Sequence, residues 1–292
     1  TISRLEPVLV AGGVSFKAFG YADIDGAYPG RPQDVNEWTN TYIAWAFIGY
    51  WKGKGDTTEM WLSRMKKCIK RAADLGMKIY LGLDCGRSDD AATTERIKAV
   101  LDTARDCWAN VIAVDVADEP PWDKPTTKQM LAKVRGIIEA MGLDYRPCGI
   151  TYTAVQSLTE DPITIPNFKL GKRVGPDYIV LELYSKPQNQ GQAANLQFVK
   201  DNIKGAVARI APDQRLRFWL AGYDRNGAFV GEEDIAALNW QTYEWTRNKY
   251  SYRIDGYNIF NWGRKTGVGG TLWLPKVRDV HKRIWADMVA RK

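Results

Sequence analysis

Two adjacent carboxylates and a proline close an apolar run in this chain, Val111-Ile-Ala-Val-Asp-Val-Ala-Asp-Glu-Pro120, which ends on Asp118, Glu119 and Pro120. Proline cannot donate to a strand ladder, so pairing stops there and the acids sit where the strand opens to solvent. A carboxyl group so placed can exchange a proton with a bound molecule, or it can ion-pair and cap a following helix. Counting inward from Glu119, strict alternation puts Ala117, Asp115 and Ala113 on its face and Val116, Val114 and Ile112 on the other. Small neighbours suit a side chain projecting into the mouth of a closed sheet. The same alternation turns Asp118 away from that mouth unless a bulge intervenes.

Other strand-like runs end on reactive groups. These are Asp84, then Glu182 and Tyr184 on one face of Ile179-Val-Leu-Glu-Leu-Tyr-Ser185, then Asp224, and finally Asn261 with Trp262. A buried carboxylate without a partner costs several kcal/mol, so Glu182 needs either a cation beside it or a chemical role. Two carboxylates facing across a sugar-sized cleft are what glycosidic cleavage needs: one protonates the leaving oxygen, the other attacks the anomeric carbon or activates water. Burial and crowding would raise the pKa of the proton donor. The chain has 12 Trp, 14 Tyr and 8 Phe, and flat rings with polar edges suit pyranose faces as well as core packing.

What is scarce narrows the chemistry further. The one histidine, His281, lies on the last helical pattern, so a Ser-His-Asp triad would have to use it and multi-histidine metal sites cannot be built. Cys68, Cys85, Cys107 and Cys148 have no CxxC spacing, which leaves buried free thiols as the expected state. A Schiff-base lysine is poorly served, because Lys17 and Lys78 sit toward strand starts. We expect neither a metal nor a cofactor. The net charge of +7 leans slightly toward an acidic partner. Its bases are spread over helices (Lys66-Lys67, Lys70-Arg71), unlike a nucleic-acid footprint. No apolar run is long enough to span a membrane.

These side chains require a frame that gathers strand ends. Strand-like runs at Val8–Phe19, Thr41–Trp51, Lys78–Cys85, Val111–Ala117, Pro147–Ala154, Tyr178–Ser185, Arg217–Tyr223 and Gly256–Trp262 alternate with helical patterns. The helical patterns are Glu59–Leu75, Ala91–Trp108, Thr127–Met141, Ala194–Ile210, Glu233–Tyr250 and Pro275–Ala290. Gly76 and Gly142 supply stop signals, and Pro275 starts the last helix. Nearly all-apolar strands interleaved with helices describe a parallel sheet covered by helices. The repeat predicts a single α/β domain over residues 1–292, a (β/α)8 TIM barrel whose active groups stand at the C-terminal strand ends. An open doubly wound sheet would carry a glycine-rich phosphate turn, and Ala11-Gly12-Gly13 lacks that spacing. Long loops are expected after strand 1 (Tyr21–Trp38) and strand 5 (Val155–Pro176, with the basic turn Lys169–Arg173).

The strand-four ending resembles the Asn-Glu-Pro of clan A glycoside hydrolases, and Phe260-Asn-Trp262 resembles that clan's strand-eight Trp. The resemblance implies Glu119 as acid/base and Trp262 as the sugar platform. Asp118 replaces the usual Asn, the clan's His positions are empty, and Leu220-Ala-Gly-Tyr-Asp224 offers an aspartate where the clan has a nucleophilic Glu. The second carboxylate is therefore Glu182 or Asp224, with Glu182 preferred. Asp84, Asp118, Tyr184, Asp224, Asn261 and Trp262 are the expected substrate contacts.

The Asp-Glu pair also resembles hexosaminidases of families 20 and 123. That likeness implies a substrate-assisted route for 2-acetamido sugars, in which Asp118 orients the acetamido group and no separate nucleophile is needed. A glycan-binding barrel without activity is a third reading. The expected partner is a poly- or oligosaccharide, acidic or neutral, with no nucleic acid and no membrane, handled by a monomer. Polysaccharides lie mostly outside cells, so secretion is expected, although no signal peptide begins at Thr1 and free cysteines fit a reducing compartment better.

Overall fold

The computed structural model describes residues 18–22, 32, 35–45, 57–83, 85, 93–118, 126–153, 168–169, 172–173, 175–183, 192–222, 231–260, 271 and 274–290. Eight parallel strands close into a barrel. They are β1 (Ala18–Ala22), β2 (Thr41–Trp45), β3 (Lys78–Gly82), β4 (Val111–Asp118), β5 (Cys148–Thr153), β6 (Tyr178–Glu182), β7 (Arg215–Ala221) and β8 (Ile254–Phe260). Each pairs with its neighbour in sequence, and β1 closes on β8. Helices α1 (Thr58–Asp74), α2 (Thr94–Thr103), α3 (Thr126–Ala140), α4 (Gln192–Arg209), α5 (Glu232–Tyr250) and α6 (Pro275–Ala290) cover the outside. None of the described helices is long and apolar enough to cross a membrane. None of the four cysteines is in a disulfide, as expected; Cys85 and Cys148 are buried, whereas Cys68 and Cys107 are only partly so.

Local chemistry sets the helix ends. Thr57 and Thr93 accept from the backbone N–H three residues on, at 3.2 and 3.3 Å, which gives donors of the first turn a partner. Gly76 and Gly142, expected as stop signals, take φ of +73° and +66° just beyond α1 and α3, where a Cβ would be strained.

Three expectations shift. The first strand covers residues 18–22, so Tyr21 and Ala22 are ladder residues and not the start of a loop; most of the expected Val8–Phe19 run lies outside the described residues. The segment after strand 5 contributes a two-stranded antiparallel hairpin, Phe168–Lys169 with Lys172–Arg173, around the basic turn. The helix expected over Ala91–Trp108 ends at Thr103 and continues as a 3-10 turn, Arg105–Asn110. Tertiary bonds draw it off the α path: the Trp108 indole donates to the Asp144 carbonyl at 2.8 Å, and Arg146 reaches the Trp108 carbonyl at 3.0 Å.

The barrel has two differently made interiors. Between sheet and helices lies an aliphatic layer, with Ile79, Leu81, Val114, Val116, Ile150, Ile179, Leu181, Leu220 and Ile259 packed on helical residues such as Ile69, Leu101, Val134 and Ile284. Inside the barrel the buried side chains include Thr41, Tyr80, Asp115, Thr151, Tyr178, Arg217 and Asn258. Gly149 leaves room for the Tyr178 ring, since a Cβ there would fall 2.0 Å from it.

His281 belongs to the outer layer. It is fully buried on α6 against Tyr21 of β1. The Asn239 amide nitrogen donates to the Ala221 carbonyl at 2.7 Å and meets His281 Nε2 at 3.0 Å. A carbonyl only accepts, so that nitrogen is a donor to both, Nε2 is unprotonated, and Nδ1–H donates to the Tyr21 hydroxyl at 2.9 Å. Burial lowers the His281 pKa to about 3. The unfolded chain therefore takes up a proton near the ordinary value while the folded one refuses it. The stability that His281 contributes is present above about pH 6.5 and is lost as pH falls toward 3. We expect the wild type to lose about 3 kcal/mol more than His281→Gln between pH 7 and pH 4 in urea denaturation. Equal losses in the two proteins would refute the assignment.

Candidate active site at the barrel mouth

The sequence singles out eight groups for the C-terminal strand ends. Two of them fall within the described residues. Asp118 is the last residue of β4 and is buried; Glu182 is the last residue of β6 and is partly exposed. Asp84, Glu119, Tyr184, Asp224, Asn261 and Trp262 lie outside the described residues.

The register of β4 revises the alternation. Asp115 pairs with Gly149, but Ala117 pairs with Ile150 and Asp118 with Thr151, so β4 carries one extra residue at Val116 against β5. A matching shift at Ile112 occurs against β3. Paired residues of adjacent parallel strands share a face. Thr151 faces inward, because its hydroxyl donates to Asp115 inside the barrel, and Asp118 therefore faces inward with it. Ala117 shares the outward face of Ile150 and joins the aliphatic layer. The expectation that Asp118 points away from the mouth is overturned by this bulge, and so is the placing of Ala117 on the inner face.

Glu182 pairs with Thr153 on one side and Trp219 on the other. Glu182 extends the inward row of Tyr178 and Val180 along its own strand, so the carboxylate points into the barrel mouth. Asp118 and Glu182 are separated by β5 alone. At about 4.8 Å per strand and about 3.3 Å per residue, two strands across and two residues along set their backbones about 12 Å apart. Side chains reaching inward shorten that gap toward the roughly 5–10 Å over which paired carboxyl groups cleave glycosidic bonds.

Below the mouth lies a polar core that sequence reading noticed only in part. Asp115 Oδ2 accepts from the Tyr80 hydroxyl at 2.7 Å and from the Thr151 hydroxyl. Arg217 lies 4.9 Å from the Tyr80 ring centroid and 4.7 Å from that of Tyr178, and it is ion-paired with Asp255 through Nε at 2.7 Å. Asp255 reaches it from a third register shift, between Ile254 and Gly256 of β8. Trp219 and Asn258 pair with each other one level below the ends of their strands. Asp115 enters the sequence analysis only as a strand-face residue, and Tyr80, Arg217, Trp219 and Asn258 do not enter it as site residues. An arginine inside an otherwise apolar strand was the available signal.

No protein-family model and no curated protein matches the chain. Solved structures do. A family 5, subfamily 18 glycoside hydrolase from Bifidobacterium longum, in complex with Manβ1-4GlcNAc, aligns with a TM-score of 0.64 at 9% identity over 94% of this chain and 79% of that one. A family 5, subfamily 4 broad-specificity endoglucanase from an uncultured bovine rumen ciliate gives 0.57 at 12% identity, over 87% of this chain and 85% of its own. A β-glucosidase from Exiguobacterium marinum gives 0.57 at 13%, over 89% and 86%. The chain thus shares the (β/α)8 barrel fold of these glycoside hydrolases, the fold that the alternation of strands and helices predicts.

Burial is the main cause that raises the Asp115 pKa to about 6, against the opposing hydrogen bonds from Thr151 and Tyr80. The folded state then holds a proton that the unfolded state has released, so Asp115 makes stability fall as pH rises from about 4 through 6. Asp115→Asn keeps an oxygen for both hydroxyls and removes the ionisation. Between pH 4 and pH 7 the variant should gain about 2 kcal/mol relative to wild type in urea denaturation. A difference that does not change with pH would sink the idea.

Proposed function

We propose that this protein is a glycoside hydrolase that cuts O-glycosyl bonds of an oligo- or polysaccharide with a pair of carboxyl groups. The observation that carries the reading is the pair of inward-facing carboxylates, Asp118 and Glu182, at the C-terminal ends of β4 and β6 in a clan A-like barrel. Glu119, next in the chain and directly before Pro120, where ladder pairing and its strict alternation stop, is the general acid/base. Glu182 is the second carboxylate, and the sugar stacks on Trp262. Asp84, Asp118, Tyr184, Asp224 and Asn261 contact the substrate. Nothing in this scheme requires a metal or a histidine. Support from similar folds includes the family 5 enzyme in complex with a disaccharide. The substrate class points to a secreted protein, which we take to act as a monomer.

A second reading gains from the β4 bulge. An inward Asp118 can orient the acetamido group of a 2-acetamido sugar, whose carbonyl then attacks the anomeric carbon while Glu119 protonates the leaving oxygen. That route explains why strand seven brings no clear nucleophilic Glu.

Glu119→Gln should leave the fold intact and lower reducing-end release by about 100- to 10,000-fold. The assay is a panel that includes chitin-type and acidic polymers. Near-normal release would remove Glu119 from the mechanism, while sugar binding without release by the wild type would favour a non-catalytic barrel. Glu182→Gln and Asp224→Asn separate the candidates for the second carboxylate. Azide should restore turnover in the Glu182 variant. Rescue of neither variant, together with a collapse of activity in Asp118→Asn, would replace the two-carboxylate scheme by the substrate-assisted one.

A further inference from the structure

The mouth uses one end of the barrel, and a separate cationic and aromatic surface lies on the wall and pole opposite. Trp245 of α5 has the Lys200 ammonium of α4 at 5.8 Å and the Lys249 ammonium at 5.9 Å from its ring centroid. The Tyr250 ring meets it edge-on at 5.3 Å, and Lys249 also lies 5.8 Å from that ring. Among the described residues neither lysine is in an ion pair, whereas Lys204 on the same helix is paired with Asp201 and Arg247 with Asp287.

A second like-charge pair continues the surface. Arg253 donates to the carbonyls of Ile210, Ala211 and Pro212, and Arg215 also donates to the Pro212 carbonyl at 3.3 Å. Both arginines spend their donors on the orphan carbonyls beyond α4, so neither charge is neutralised by those bonds. Burial and then the neighbouring Arg215 charge lower the Arg253 pKa, while Asp213 acts the other way. Tyr252, next to Arg253 in the chain, stands 67% exposed. Arg215 opens β7 and Arg253 precedes β8, which fixes this surface at the N-terminal pole, away from the mouth.

We propose that the face formed by Lys200, Trp245, Lys249, Tyr250, Tyr252 and Arg253 binds a segment of an acidic polysaccharide. Its carboxylates or sulfates bridge the unneutralised cations and its sugar rings lie on the aromatic side chains. The number of cations favours this ligand over nucleic acid, whose binding draws on about 6–10 phosphate contacts. Lys200 and Lys249 beside the Trp245 ring, with Arg253 and its neighbour Arg215, supply four cations, which match a few sugar units. The proposal concerns attachment and does not depend on which bond the mouth cleaves.

Native gels cast with polygalacturonate test it, with each mobility taken relative to the same protein in a polymer-free gel. The wild type should be retarded. Lys200→Ala/Lys249→Ala should lose most of that retardation and Tyr252→Ala part of it. Lys67→Ala/Lys98→Ala removes equal charge from exposed positions on α1 and α2 and should keep it. An unretarded wild type would overturn the proposal, as would a control pair that loses as much as the test pair. Duplex DNA retarding the wild type as strongly as polygalacturonate would overturn it in favour of a nucleic-acid surface. Binding is read directly, so a chain that cleaves no glycan can still pass or fail.

Discussion

A buried guanidinium holds the centre of this barrel. Arg217 is 3% exposed, and moving such a charge out of water costs several kcal/mol unless partners surround it. Its partners come from three strands: Tyr80 from β3, Tyr178 from β6 and Asp255 from β8. Each must be at its proper height for the cation to be tolerated. The height of Tyr178 depends in turn on Gly149 of β5 leaving its ring room. A barrel filled with aliphatic side chains could slide by a residue pair at modest cost. One built around this cation cannot, because a slipped strand would leave the charge without its carboxylate or its ring. Register at the centre therefore fixes register at the mouth.

The two interiors divide the work between them. The aliphatic layer under the helices supplies non-directional stabilisation in proportion to buried area. Directional bonds inside the barrel, from Tyr80 and Thr151 to Asp115 and from Arg217 to Asp255, select one arrangement from the many that area alone would allow. Asp115 and His281 show how differently the two layers treat an ionisable group. Each is fully buried, yet Asp115 has charged and hydroxyl neighbours that partly offset its desolvation, whereas nothing offsets it at His281.

Most of the frame was legible because it rests on composition and period. Apolar runs at the right spacing gave seven of the eight barrel strands near their true positions, and Gly76, Gly142 and Pro275 marked helix ends. The parts that were not legible depend on a partner strand. The orientation of Asp118 is decided by how β4 pairs with β5, and no count along β4 alone can reveal an extra residue at Val116. The 3-10 turn at Arg105–Asn110 likewise answers to Asp144 and Arg146, residues beyond the next helix. The first strand was set too early because its apolar approach, Val8 to Phe19, reads as ladder when only its last residues pair. The site was legible at the level of strand ends, where Asp118 and Glu182 are found.

The bulge in β4 also changes what a length difference means. In a regular strand, residues three apart face opposite ways, yet here Asp115 and Asp118 share one face. Losing one residue between them would not turn the acid outward: it would remove the bulge and leave the two carboxylates two residues apart, which strict alternation also places on one face. Pairing every residue from Asp115 to Asp118 without the bulge would instead rotate the terminal carboxylate from the barrel mouth into the aliphatic layer beneath the helices. Over those few residues, the chain's capacity for acid chemistry rests on the one residue that drops out of the ladder.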